Sequence, residues 1–270
     1  KMDEQNPFAI LEFIKNISTK TDKPIISYMI HDSDVLWFVV YKNGKQVFIL
    51  DNTDAVLFDL DGTLIDSMWV WGEVDRIYLA RYGLDCPQDL TKILSGISIS
   101  QAAAFFRDVF KINDPEEKMI ADWNDLAREQ YSEHVMPKEG AIRWLNEIKG
   151  RGIRMAVGTS NTRELAETVI RKRGLEEYFD IVLTGEDVKK GKPDPFIYLK
   201  ASEGLKADPS KCIVFEDIVQ GIIAGRSAGM RTCGVFDLYS EYQAAEKKAT
   251  ADYYIDSFED IFKDRVKILH

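Results

Sequence analysis

The fold of this chain is decided by residues 55–67, which read AVLFDLDGTLIDS. The four apolar residues 55–58 predict a short buried strand, and Asp59 and Asp61 follow it one residue apart, with Gly62 behind them. In a doubly wound sheet, ligands bind beyond the carboxyl ends of the strands, and a glycine there lets the backbone come close to the ligand. The pattern favours phosphoryl transfer, with Asp59 as nucleophile and Asp61 as general acid and base. For this motif taken alone, a solvated acidic turn is the alternative.

The rest of the chain alternates between strand and helix patterns after residue 137. The later strands are predicted at 153–157, 181–184, 212–215, 232–236 and 253–255, and the helices between them at 140–150, 162–173, 195–204, 218–228 and near 241–248. Strands separated by helices predict a parallel sheet that is covered on both faces. The fold class is therefore α/β, a Rossmann-like doubly wound parallel sheet.

A helical insertion interrupts this pattern. Its helices are predicted from Ser67, as the capping residue, to a stop at Gly83, and then at 88–95, 99–110 and 115–135. We predict a catalytic core formed by residues 54–66 and 137–270, with an α-helical cap at 67–136. Most of the aromatic residues of the cap are expected to form its core.

Residues 1–53 precede the first core strand and predict a small α+β appendage. A helix is expected at 8–17 and strands at 24–31, 35–42 and 46–50, the last two joined by an Asn-Gly hairpin. About 50 residues make a marginal core, so we expect this unit to pack on the core or on a second copy of the chain. Its role is not evident from its residues.

The composition of the 270 residues restricts the class of partner. A net charge of −10 without a dense Lys/Arg cluster argues against nucleic acid as a partner. The three cysteines are widely spaced and predict neither a disulfide framework nor a zinc site, which fits a reducing cytoplasm. The apolar runs are too short to span a bilayer, and the beginning of the chain has no basic-then-apolar signal pattern.

Three further motifs follow predicted strands or precede predicted helices. They are VGTSN at 157–161, KGKPDP at 190–195 and VFED at 214–217. The helix that starts after the first motif offers backbone N–H groups to a phosphate, although Ser160 or Asn161 could instead serve only as its cap. The last motif brings Glu216 and Asp217 to the end of a strand, where they are expected to face the two aspartates of the first motif. Because like charges so close must take up protons or share a cation, we predict a Mg²⁺ site.

Taken together, these motifs resemble the haloacid dehalogenase superfamily of phosphatases, in the subfamily with an α-helical cap inserted after the first strand. The resemblance covers about residues 54–258. It implies that Thr159 donates its hydroxyl to a phosphoryl oxygen, with Ser160 and Asn161 as further contacts. It also implies that Lys192 neutralises the phosphoryl group and the attacking carboxylate.

The same resemblance implies the metal ligands. They would be Asp59, the backbone carbonyl of Asp61, and Asp217, with Glu216 either a fourth ligand or a group behind the ligands.

The cap loop at residues 94–98 reads LSGIS and resembles the substrate-specificity loop of this subfamily. Gly96, Ile97 and Ser98, together with Trp71, are predicted to contact the substrate. The alternative is that Ile97 and Trp71 belong to the core of the helical bundle.

The sequence thus predicts a cytoplasmic Mg²⁺-dependent phosphatase that hydrolyses a small phosphomonoester, a sugar phosphate or similar metabolite, through an aspartyl-phosphate. One alternative is a phosphosugar mutase of the β-phosphoglucomutase type, and another is a phosphate-ligand sensor with incidental turnover. β-Phosphoglucomutases usually carry a histidine and an arginine at the cap positions that Trp71 and Ile99 occupy here. The phosphatase is therefore the preferred interpretation, while the natural substrate depends on the cap and its loops.

Overall fold

The computed structural model describes residues 25–31, 34–42, 45–47, 50, 53–94, 99–263 and 265–269. The first three of these segments are strands β1 (Ile25–His31), β2 (Asp34–Lys42) and β3 (Lys45–Val47), which form an antiparallel sheet in that order. β2 and β3 pair with Lys42 opposite Lys45, as expected for the predicted hairpin. The helix predicted at 8–17 lies outside the described residues. The division of the chain into appendage, core and cap stays a prediction.

The remaining strands are β4 (Ala55–Phe58), β5 (Ile65–Asp66), β6 (Met136–Pro137), β7 (Arg154–Gly158), β8 (Ile181–Leu183), β9 (Cys212–Glu216), β10 (Arg231–Val235), β11 (Tyr253–Ile255) and β12 (Lys267–Ile268). The α-helices in the described part of the chain are α1 (Val70–Ala80), α2 (Leu90–Leu94), α3 (Ile99–Phe110), α4 (Glu116–Glu133), α5 (Ala141–Gly150), α6 (Arg163–Lys172), α7 (Phe196–Gly204), α8 (Val219–Ser227), α9 (Ala244–Thr250) and α10 (Glu259–Phe262). None of these helices is both long and apolar enough to cross a bilayer.

Seven strands form the main sheet, in the order β12-β11-β10-β9-β4-β7-β8. Every neighbouring pair is parallel except β11 and β12, which are antiparallel. This confirms the predicted doubly wound α/β fold. The edge strand β12 and the short helix α10 were not predicted.

Both faces of the sheet are buried, which explains why its strands lack alternation between polar and apolar residues. On β4, Val56 and Phe58 belong to the apolar cluster on one face, and Ala55 and Leu57 to the cluster on the other. Phe58 stacks on Phe215 of the adjacent β9, with ring centroids 5.1 Å apart. β4 is therefore buried between apolar clusters on both of its faces.

The cap helices α1 to α4 lie in the chain between β5 and β6. These two short strands pair antiparallel, with Ile65 opposite Pro137. Tyr78, Phe106 and Trp123 form the aromatic centre of the bundle, with centroid distances of 4.9 to 5.9 Å. The prediction that aromatic residues form the cap core holds for these three.

Three local predictions differ from the structure. Ser67 does not cap α1, because the helix begins only at Val70, and the residue before it, Trp69, makes no side-chain capping bond. The Ser67 hydroxyl donates to Asp61. The helix also ends at Ala80, and the chain continues through a tight turn to Gly83, which has a φ of +69°. In addition, residues 238–243 form a 3₁₀ turn before α9, so the helix near 241–248 begins later than predicted.

Candidate active site

The strand ends predicted to carry the site lie next to one another. β4 pairs with both β7 and β9, and Phe58 is opposite Val157 on one side and Phe215 on the other. The residues that follow these three positions therefore leave the sheet at the same level and on the same edge. This confirms that the sheet brings the first, second and fourth motifs together.

Lys192 of the third motif lies between two carboxylates of the other motifs. Its Nζ donates to Oδ1 of Asp59 over 2.6 Å and to Oε1 of Glu216 over 2.5 Å. All three side chains are at least nine-tenths buried. Burial lowers the pKa of the Lys192 ammonium, but the two carboxylates outweigh burial and raise this pKa above its usual range. Lys192 is therefore charged at any working pH.

Asp59 has an unusual acidity in this environment. Burial raises the pKa of its carboxyl group from the usual 3.8 to about 7; the Lys192 ammonium opposes the rise and the Glu216 carboxylate adds to it. Asp217 is also buried, and burial together with the charges of Asp59 and Glu216 raises its pKa well above the usual range. The site therefore holds more carboxylate charge than its one ammonium can balance.

Three of these carboxyl groups form a cluster suited to a metal ion. Asp59, Glu216 and Asp217 each offer an oxygen atom, and these atoms lie within 4.8 Å of one another. Such a set of oxygen donors fits a hard cation such as Mg²⁺. Gly62 is needed beside them, because it has a φ of +77° and a Cβ there would lie 2.5 Å from Oδ2 of Asp217.

Both side-chain oxygens of Glu216 accept hydrogen bonds from protein donors. Oε1 accepts hydrogen bonds from Lys192 and from the hydroxyl of Tyr198, at 2.7 Å for the latter, and Oε2 accepts from the backbone N–H of Asp217 at 3.2 Å. The carboxylate also packs directly over Gly221, where a Cβ would lie only 1.8 Å from Oε1. The Glu216 carboxylate is therefore held in one orientation by these donors.

Asp217 accepts hydrogen bonds from Thr63, which follows β4, and from Ser240, which follows β10. Thr63 donates to its Oδ1 over 3.1 Å, and Ser240 donates to its backbone oxygen over 2.8 Å. Ser240 in turn accepts a hydrogen bond of 3.0 Å from Lys247, which is fully buried and also donates to the backbone oxygen of Val235. Sequence reasoning missed Ser240 and Lys247, because a lysine in a charged helix usually lies on the surface.

Asp61 has different neighbours from Asp59. Its Oδ1 accepts hydrogen bonds from Ser67 at 2.8 Å and from the hydroxyl of Tyr131 at 2.5 Å. Its Oδ2 accepts from the hydroxyl of Thr159 at 3.2 Å and from the side-chain amide of Asn161 at 3.1 Å. The predicted nucleophile is thus paired with an ammonium, whereas the predicted acid and base is held by uncharged donors.

Thr159 and Asn161 are therefore brought to the predicted site, each through its contact with Asp61. Ser160 is exposed, and within the described residues no hydrogen bond joins its side chain to the carboxylates. Neither Ser160 nor Asn161 caps the following helix. Thr162 does so, by accepting from the N–H of Leu165 over 3.4 Å, since it is the last residue with extended backbone before α6.

The substrate contacts predicted for the cap stay predictions, and one cap residue that was not predicted, Tyr131, contacts Asp61. Trp71 is 39% exposed, so it does not belong to the bundle core. Gly96, Ile97 and Ser98 lie outside the described residues. Tyr131 of α4 was not predicted, because its spacing from Trp123 and Ala127 is that of an ordinary buried helix face, and no feature of the sequence separates it from the core.

Comparisons with known proteins agree with this arrangement. The family model for haloacid dehalogenase-like hydrolases matches residues 56–235. A phosphorylated carbohydrates phosphatase of Thermotoga maritima is 33% identical over 177 residues, which cover 66% of this chain and 82% of that protein. Validoxylamine A 7'-phosphate phosphatase of Streptomyces hygroscopicus subsp. limoneus is 30% identical and is matched over 71% of this chain and 90% of its own.

A solved structure is similar over a comparable length. The crystal structure of a candidate β-phosphoglucomutase from Thermotoga maritima has a TM-score of 0.69 and 30% identity, and the match covers 78% of this chain and 98% of that one. The family match includes the ends of β4, β7 and β9 as well as Lys192. The chain therefore belongs to the haloacid dehalogenase-like hydrolases, and it is a phosphatase.

Proposed function

We propose that this protein hydrolyses a small phosphomonoester, a sugar phosphate or similar metabolite, in a Mg²⁺-dependent reaction that passes through an aspartyl-phosphate on Asp59. The observation that carries the proposal is the difference between the two aspartates of the first motif. Asp59 is paired with Lys192, whereas the donors to the Asp61 side chain among the described residues are hydroxyl and amide groups. Two carboxyl groups in distinct environments are suited to distinct roles.

The residues present fit a magnesium ion. Asp59, Asp217 and the backbone carbonyl of Asp61 would hold it. A cation would be stabilised there, because the cluster has more carboxylate groups than ammonium groups paired with them. Mg²⁺ supplies charge neutralisation and orientation of phosphoryl oxygens. Glu216 is assigned to the support of Lys192 and Asp217, because its oxygens already accept from protein donors.

In the first step, a carboxylate oxygen of Asp59 attacks phosphorus. The new O–P bond forms as the bond from phosphorus to the ester oxygen breaks, and that oxygen takes a proton from the Asp61 carboxyl group. Lys192 stabilises the negative charge that Asp59 shares with the phosphoryl group, which is the main task of a protein in phosphoryl transfer. Thr159 lies beside Asp61, so its hydroxyl is placed to donate to a phosphoryl oxygen of the bound ester.

In the second step, water attacks the phosphorus of the aspartyl-phosphate. Asp61, now a carboxylate, takes the proton of that water, and the bond between phosphorus and Asp59 breaks. Phosphate leaves, and both aspartates return to their starting forms. The balance requires one ester and one water, and no further reactant.

The substrate class rests on the relatives. Two of them are named as a phosphatase of phosphorylated carbohydrates and a phosphatase of validoxylamine A 7'-phosphate. Because the site is acidic, an anionic substrate needs Lys192 and the cation to offset repulsion by the carboxylates. A reducing cytoplasm is the proposed location, and the three free cysteines support it.

The test is phosphate release from a panel of sugar phosphates and other small monoesters with Mg²⁺, in parallel with Asp59→Asn. Release by the natural protein, loss in the variant, and a phosphoryl adduct trapped on Asp59 by acid quench are the expected results. Absence of release from every ester, or release that persists in Asp59→Asn, would contradict the proposal.

A phosphosugar mutase is the second candidate, favoured by the likeness to the candidate β-phosphoglucomutase. A mutase must hold a second phosphate and relay a proton from the cap. The half-exposed indole of Trp71 can do neither, and this supports the phosphatase. A protein that only senses a phosphate ligand is the weaker interpretation, because ligand binding alone does not require a general acid such as Asp61.

A further inference from the structure

Tyr131 is the one donor to Asp61, among the described residues, that a cap helix supplies. Thr159 and Asn161 follow β7 of the core, and Ser67 lies directly after β5, before the first cap helix. Tyr131 is near the end of α4, 70 positions along the chain from Asp61. The Asp61 carboxylate therefore joins the cap to the core.

The hydroxyl of Tyr131 is committed to this contact. The residue is 2% exposed, and its oxygen donates to Asp61 over 2.5 Å while it accepts from the side-chain amide of Asn161 over 2.9 Å. A buried hydroxyl is costly without such partners, and a phenylalanine would fill the same apolar space without that cost. The packing of α4 thus explains the ring but not the hydroxyl.

The four donors act on Asp61 from two directions. Ser67 and Tyr131 reach Oδ1, and Thr159 and Asn161 reach Oδ2, so rotation of the carboxylate would break bonds on both oxygens. Without the Tyr131 hydroxyl, Oδ1 keeps only the bond from Ser67. The Asn161 amide would also lose its second acceptor, so its bond to Oδ2 would be held less firmly.

We propose that Tyr131 is a positioning residue which, from the cap, fixes the orientation of the Asp61 carboxyl group for proton transfer to the leaving oxygen. The inference rests on the proposed function. Proton transfer depends on the distance and angle between the acid and the ester oxygen, so an acid free to rotate donates less often in the productive direction. The effect of Tyr131 should therefore depend on how much the leaving group needs a proton.

The experiment compares Tyr131→Phe with Tyr78→Phe on two esters in the presence of Mg²⁺. Tyr78 is a matched control, because it is an equally buried cap tyrosine whose hydroxyl meets Tyr82 at 3.3 Å. One ester is an alkyl phosphate such as a sugar phosphate, whose alkoxide leaves only with a proton. The other is p-nitrophenyl phosphate, whose phenolate leaves without one. The readout is kcat/KM, which reports the steps up to departure of the alcohol.

We expect Tyr131→Phe to lower kcat/KM for the alkyl phosphate about tenfold or more and that for the aryl phosphate less than threefold, since a general acid contributes about 10² to 10⁴ in rate. Tyr78→Phe should change neither. In an Asp61→Asn background, which has no acid to orient, Tyr131→Phe should have no further effect on the alkyl ester. Equal losses for the two esters, or an undiminished loss in the Asp61→Asn background, would assign Tyr131 a structural role only and overturn the proposal.

Failure of the proposed function is separable from failure of this inference. Wild-type protein that cleaves neither ester with Mg²⁺ refutes the phosphatase before any variant is made. The positioning role is then decided by crystal structures of the natural protein and of Tyr131→Phe. An Asp61 side chain with the same orientation and order in both structures would overturn it, and a displaced or disordered carboxyl group would support it.

Discussion

The replacement Asp59→Asn should abolish turnover and at the same time stabilise the metal-free protein. The amide has the shape of a protonated carboxyl group but cannot attack phosphorus. Burial raises the folded-state pKa of Asp59 to about 7, whereas the unfolded chain ionises near 3.8. The contribution of Asp59 to the free energy of unfolding is therefore fully present below pH 3.8 and is lost as the pH rises through about 7.

The size of the effect follows from that shift. Each pKa unit corresponds to about 1.4 kcal/mol, so an ionised Asp59 lowers the free energy of unfolding by up to about 4 kcal/mol above pH 7. Asparagine does not ionise. We expect Asp59→Asn in EDTA to be about 2 to 4 kcal/mol more stable than the natural protein at pH 8, and within about 1 kcal/mol of it at pH 4.

The assay is urea unfolding in EDTA at several pH values, with Asp85→Asn as the control, because Asp85 is an exposed aspartate on the cap. A gain of this size corresponds to a rise in Tm of about 4 to 16 °C for a domain of this size. Mg²⁺ should reverse the order, because it stabilises the natural protein more than the variant. A variant that is less stable than the natural protein at pH 8, or a difference that does not change with pH, would refute the electrostatic reasoning.

Four further outcomes follow from the site. EDTA should silence phosphate release, Mg²⁺ should restore it, and Ca²⁺ should inhibit because its looser coordination misplaces the nucleophile; full activity in metal-free buffer would contradict the site. Burial raises the pKa of Asp75 in the cap to about 7, so Asp75→Asn should raise Tm by several degrees at pH 8 and leave it unchanged at pH 4 in thermal scans. With Trp71 and Ile99 in the cap, NMR should detect no conversion of β-glucose 1-phosphate to glucose 6-phosphate, and conversion faster than hydrolysis would establish a mutase. Lys247→Met removes the hydrogen bond to Ser240 and should weaken Mg²⁺ binding about tenfold in calorimetric titration, whereas unchanged affinity would limit Lys247 to packing.

The parts of the fold that the sequence predicts are those with a local pattern. Buried β4 reads as four consecutive apolar residues, and the polar residues after β7 and β9 mark the same edge of the sheet. Parallel topology then requires these ends to meet, so Asp59 and Asp217 could be placed together without coordinates. Lys192 was found through the prolines that follow it.

The parts that could not be predicted depend on contacts distant in the chain. Tyr131 has the same helical spacing as its apolar neighbours, and its role arises only where the cap meets the core. The sequence around Lys247 is that of an exposed helix, and its burial depends on a hydrogen bond to Ser240, which belongs to the 3₁₀ turn at 238–243. Ser67 has the sequence of a helix cap, yet α1 begins only at Val70, and the Ser67 hydroxyl donates to Asp61.

The pairing of β5 with β6 has a consequence for how such enzymes diversify. The chain leaves the core at Asp66 and returns at Met136, and these two residues are partners in one ladder. The inserted segment between them is therefore held at both of its ends by this strand pairing, whatever its length or sequence. A different insertion can therefore follow Asp66 without a change in the strand order of the main sheet. Such an exchange would leave Asp59 and Asp217 in place after β4 and β9, but it would replace the contact that Tyr131 makes with Asp61.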